Sequence, residues 1–80
     1  MRRYRLRVHA EPGPASVVVG WDPGERRYVS DVVFADGKAG HHTYEHLREV
    51  IFRLRPYAEV DDLLLRALLK DRVQSLGDGR

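Results

Sequence analysis

Residues 27–54 open with Arg27-Tyr28-Val29-Ser30-Asp31-Val32-Val33-Phe34-Ala35 and close with Tyr44-Glu45-His46-Leu47-Arg48-Glu49-Val50-Ile51-Phe52-Arg53-Leu54. The first part alternates. Tyr28, Ser30, Val32 and Phe34 fall on one side, and Val29, Asp31, Val33 and Ala35 on the other, the period-two pattern of a strand. In the second part Tyr44, Leu47, Ile51 and Leu54 recur at spacings of three and four, which marks one face of a helix. A chain that changes period in this way mixes strand and helix, and here the strands come first.

Upstream, Ser16-Val17-Val18-Val19-Gly20-Trp21 is rich in β-branched residues and predicts a strand over residues 16–21. Asp22-Pro23-Gly24-Glu25 reads as a type II turn, with Gly24 supplying the positive φ. Residues 3–9 alternate again, with Tyr4, Leu6 and Val8 opposite Arg3, Arg5, Arg7 and His9. Glu11-Pro12-Gly13-Pro14 breaks that strand, because proline gives no ladder donor. Strands are therefore expected at residues 3–9, 16–21 and 27–35, joined as an antiparallel meander.

Downstream, Asp36-Gly37-Lys38-Ala39-Gly40 ends the third strand. A helix is expected over residues 43–55, with Thr43 or His42 as its cap and Pro56 as its stop. A second helix is expected over residues 61–76, with Asp61 and Asp62 at its start and Gly77 as its C-terminal cap, before a frayed tail of Asp78-Gly79-Arg80. Residues 1–80 thus form one α+β domain in the order βββαα, a three-stranded antiparallel meander with both helices on one face.

The second helix is apolar on two sides. Val60, Leu63, Leu64, Ala67 and Leu68 form one stripe; Leu65, Leu69, Val73 and Leu76 form another. A helix resting on a sheet needs only the first. Either the first helix covers the second stripe or a partner does, and a two-fold dimer through these residues is one such arrangement.

With 80 residues and no cysteine, the chain has neither a large core nor a disulfide to stabilise it. Its opening residues carry no apolar run of the kind a signal peptide has, and no run is long enough to span a membrane, so a cytoplasmic protein with no membrane contact is expected. The net charge is +2, and arginine outnumbers lysine twelve to two. Arg3, Arg5 and Arg7 would stand about 7 Å apart along one strand face, close to the phosphate spacing of a nucleic-acid strand. The plainer reading is an edge strand protected by charge. Trp21 is either a partner anchor or a ring that closes the core over a turn.

His42-Thr43-Tyr44-Glu45-His46 matches the H-x-x-E-H pattern of an inverted zinc-protease motif. On a helix the two histidines would share a face with Glu45 as base, and Glu49 on the same face could serve as third ligand. No enclosed cleft then remains, and the chain is too short for the domain such enzymes use. No serine or threonine sits in an elbow-like glycine context, and there is no phosphate loop.

Val18-Val19-Gly20-Trp21-Asp22-Pro23, Pro56-Tyr57-Ala58 and the leucine-rich run from Leu63 to Asp71-Arg72 resemble a group of short, uncharacterised bacterial proteins carried on plasmids and other mobile DNA. The resemblance covers residues 17–73. It implies a small standalone domain of βββαα type and no particular activity.

These readings together predict a non-enzymatic protein-binding domain, regulatory or inhibitory. No catalytic residue, cofactor or metal ligand is expected. The candidate partner-binding residues are Arg3, Arg5, Arg7, Trp21, Leu65, Leu69, Val73 and Leu76. DNA or RNA binding through the arginine strand is the alternative.

Overall fold

A computed structural model describes residues 2–9 and 13–78. Part of the predicted break at residues 11–14, and the end of the predicted tail, lie outside the described residues. The order is β1 (Arg3–Arg5), β2 (Ser16–Asp22), β3 (Arg27–Val33), β4 (Ala39–Tyr44), α1 (Leu47–Leu54) and α2 (Asp62–Asp78). The sheet is antiparallel throughout, in spatial order β1-β2-β3-β4. The α+β class and the two helices following the strands are as expected, but the sheet has four strands and not three.

The added strand is β4, which occupies residues expected to be loop and the start of a helix. Its register is Val33↔Ala39 through Tyr28↔Tyr44. The connecting hairpin is closed by Phe34, whose N–H donates to the Lys38 carbonyl at 2.8 Å, with Gly37 at φ 90°. Tyr44 is buried from a strand and not from a helix, so the helix face loses its first member. The helix begins at Leu47, and the Glu49 carboxylate accepts the His46 N–H at 3.0 Å. Val50 and Leu54 are its buried residues.

The other boundaries shift for local reasons. Beyond Arg5 the Leu6 N–H still donates to the Val17 carbonyl at 2.9 Å, and only then does the chain turn its bonding toward residues 57–59. Glu59 N–H donates to the Arg7 carbonyl at 2.8 Å, and His9 N–H donates to the Tyr57 carbonyl at 2.9 Å. The β2–β3 turn is not the predicted type II. Asp22 Oδ1 accepts the N–H groups of Gly24 and Glu25, and Asp22 O accepts the N–H of Arg26 at 2.8 Å. The left-handed residue is Arg26, at φ 56°. At the far end Gly77 does not cap α2, which continues to Asp78.

Val17, Val19 and Trp21 of β2 pair with Val32, Ser30 and Tyr28 of β3. All six are buried on the face that both helices cover. Direct cross-strand partners share a face, which fixes this register against a one-residue slip. Leu68 of α2, with Val50 and Leu54 of α1, closes the core from above. The Ser30 and Tyr44 hydroxyls satisfy each other inside it, 2.7 Å apart.

Candidate protein-binding surface

Asp61 starts α2: its carboxylate accepts the Leu64 N–H at 2.8 Å. In the first half of the helix the sheet side is apolar, with Leu64 packed on the core and Leu68 fully buried. One turn further on, the same side becomes polar. Asp71 accepts the Tyr4 hydroxyl at 2.6 Å. The Arg72 guanidinium lies over the rings of Trp21 and Tyr28, 5.5 and 5.8 Å from their centroids. Ser75 Oγ accepts Trp21 Nε1–H at 2.6 Å and donates to the Arg72 carbonyl.

Partial burial, and then the hydrogen bond to Asp71, raise the Tyr4 hydroxyl above its ordinary pKa. Trp21 and Tyr28 meet edge to face with centroids 4.9 Å apart, so Arg72 covers a two-ring platform. The Tyr28 hydroxyl is buried without a hydrogen-bond partner among the described residues.

The solvent side of the same half-helix is apolar. Leu69, Val73 and Leu76 are 48 %, 60 % and 44 % exposed, while Leu65 is half-buried. α1 does not cover this stripe: α1 packs along β4, whereas α2 packs on β2. Leu63, placed by its spacing in the inner stripe, is exposed. Arg66 and Lys70 are exposed along one flank of the outer stripe.

The remaining predicted residues do not join this surface. Trp21 is buried, as the core reading required. Arg3 and Arg5 alternate with the core-facing Tyr4 and therefore stand on the sheet face that carries no helix. Arg3 reaches Asp31 at 3.6 Å, and Asp31 also meets His41 Nδ1 at 2.6 Å. Arg7 is exposed beyond the end of β1. Arg27 is two strands away from β1 and pairs with Glu45 at 3.5 Å. His42 lies in β4 and His46 precedes α1, so the two do not share a helix face. No cluster of three metal-ligating side chains exists among the described residues, and no helix is long and apolar enough to cross a membrane.

The inward-facing Asp71, Arg72 and Ser75 were not singled out from sequence. Their signal was nonetheless present, since they continue the phase of Leu64 and Leu68 along the helix.

Comparison of the chain with protein-family models, with curated proteins and with solved structures found no match.

Proposed function

We propose that this chain is a non-catalytic protein-binding module, regulatory or inhibitory, whose contact surface is the outer face of the C-terminal half of α2. One observation carries the reading: that half-helix is inverted. It spends Asp71, Arg72 and Ser75 on its own sheet and presents Leu69, Val73 and Leu76 to solvent. A helix that only capped a sheet would do the reverse. Contiguous exposed aliphatic side chains with a polar rim are the mark of an interface. The matching surface is apolar at its centre, with acidic groups opposite Arg66 and Lys70.

The test is a photo-crosslinking amino acid placed at Val73, compared with the same group at exposed Gln74, together with light-scattering mass against concentration. Crosslinks concentrated at position 73 and abolished by Leu69→Glu are expected. A doubled mass identifies the partner as a second copy; a monomer crosslinked to another protein identifies a foreign one. Equal labelling at both positions, with a monodisperse monomer throughout, overturns the proposal.

A second reading has its own support. Arg3 and Arg5 stand on the uncovered sheet face, where Arg5 has no acidic partner among the described residues and Arg3 would exchange Asp31 for a nucleic-acid phosphate. A shift of generic DNA or RNA at low salt, lost when Arg3, Arg5 and Arg7 become glutamate, supports that reading; no shift at low salt ends it.

A further inference from the structure

A cavity of about 260 Å³ opens on the helix side of the sheet, between β3–β4 and the C-terminal end of α1. It lies over the opposite edge of the sheet from α2 and is independent of the surface proposed above. Val32 and Gly40 are cross-strand partners on its sheet side, and Leu54 bounds it from α1. Phe34 and Tyr57 form an aromatic wall, edge to face with centroids 5.9 Å apart. Phe52, 81 % exposed, stands at the rim.

Gly40 leaves this space open. A Cβ there would meet no atom closer than His42 Nε2 at 3.5 Å, an ordinary contact. Close packing does not explain the glycine, and its φ is not in the left-handed region. A side chain at position 40 would occupy the cavity instead.

The polar lining is one-sided. Arg53 and His42 both border the cavity, and no carboxylate does. Neither side chain has a hydrogen bond or ion pair among the described residues, so the anion-binding capacity of both is unused. An apolar pocket with a few convergent polar groups is the usual form of a small-molecule site. Its volume falls just under the range of roughly 300–1,000 Å³ for drug-sized ligands, so it fits one ring and little more.

We infer that this cavity binds a small organic anion, a ring-sized apolar group bearing a carboxylate or a phosphate held by Arg53 and His42. The ring replaces water against Val32, Phe34 and Tyr57. The anion satisfies a guanidinium that otherwise meets only solvent, and a planar two-oxygen acceptor suits the fork geometry of that group.

The probes are phenylacetate, phenyl phosphate and the neutral 2-phenylethanol, titrated into ¹⁵N-labelled full-length protein and followed by amide shifts at Val32, Gly40 and Tyr57. Saturable shifts are expected for the anions, with the alcohol weaker by roughly tenfold, the worth of one charge-assisted hydrogen bond. Arg53→Gln should bring the anions down to the level of the alcohol. Gly40→Val should abolish binding of all three while the spectrum stays dispersed, and Gly40→Ala, a smaller filling, should weaken it if the valine variant does not fold. The tighter of the two anions names the head group. No saturable shift with any probe up to about 10 mM, equal binding of alcohol and anions, or full binding by both Gly40 variants overturns the inference.

Discussion

Trp21 Nε1 and Ser75 Oγ are 2.6 Å apart across 54 residues of sequence. This hydrogen bond ties the end of β2 to the last turns of α2, where the helix has no apolar residue on its sheet side. Trp21 is only 4 % exposed, so its N–H has little water to fall back on. Ser75→Ala should therefore destabilise the fold by about 1–3 kcal/mol, the cost of an orphaned buried donor, despite a helix-propensity gain of roughly 0.5 kcal/mol. Urea unfolding monitored by the single tryptophan measures it. Unchanged stability would mean that this half of α2 is docked by Asp71 and Arg72 alone.

The β2–β3 turn makes the next test. Arg26 holds φ 56°, while Gly24 does not use the left-handed region. Left-handed strain at a residue with a Cβ costs about 1–2 kcal/mol, and glycine adds roughly 0.4–1 kcal/mol of unfolded-chain entropy. The balance favours Arg26→Gly by about 0–1.6 kcal/mol. Gly24→Ala carries no left-handed strain, but its Cβ would press at 3.3 Å on Asp22 Oδ1, the acceptor of the Gly24 and Glu25 N–H groups. A small loss of up to about 1 kcal/mol is expected. The two midpoint shifts in urea should thus oppose the order that a type II turn demands. A large loss in Gly24→Ala would restore the type II assignment.

That turn also shows where sequence reading fails. Asp22-Pro23-Gly24 carries the residues of a type II turn, but the Asp22 side chain captures two backbone N–H groups and lengthens the loop to Arg26. The fourth strand was hidden for a different reason. In β4 the residues facing the core are Gly40, His42 and Tyr44, only one of them a large hydrophobe, so period two left no trace in hydrophobicity. Tyr44 also sits three residues before Leu47 and extended the helical spacing by coincidence. The strong patterns were legible: the faces of β2 and β3, the start of α2 at Asp61, and the outer stripe of Leu69, Val73 and Leu76. The cavity at Gly40 was not, because its walls come from a strand, a hairpin, a helix and the segment after it, which meet only in the fold.

Tyr4 links stability to pH. Its pKa is raised above the ordinary 10.0 by burial and by the Asp71 hydrogen bond. The stabilising contribution of the protonated hydroxyl is therefore complete below pH 10 and is lost as pH rises through the higher folded value. At neutral pH Tyr4→Phe should cost about 1–2 kcal/mol, as for a part-exposed hydrogen bond to a charged acceptor. The gap between the two proteins should then close as pH rises from 10.0 through the raised folded value. Denaturation midpoints at several alkaline pH values give the comparison, and curves that stay parallel would remove Tyr4 from the linkage.

Leu68 and Leu69 are chain neighbours with opposite surroundings, 0 % and 48 % exposed. Leu68→Ala opens a hole in the core beneath α2 and should cost about 2–5 kcal/mol, set by how far the neighbouring side chains collapse. Leu69→Ala and Val73→Ala remove atoms that meet mostly solvent in the isolated chain, and each should stay within roughly 0.5 kcal/mol of the parent. The contrast sharpens with charge. Leu69→Glu is tolerated if the stripe faces water, since only an outward rotamer is needed. It unfolds the chain if α1 or another segment lies over it. Thermal or urea unfolding of the four variants, at protein concentrations spanning two decades, separates stability from association. If Leu69→Glu leaves stability intact at low concentration and abolishes a concentration-dependent gain at high concentration, the outer stripe is a contact between copies. Intact stability with no concentration dependence reserves it for a different protein. Loss of stability at every concentration would place Leu69 in the core and remove the binding surface from this helix.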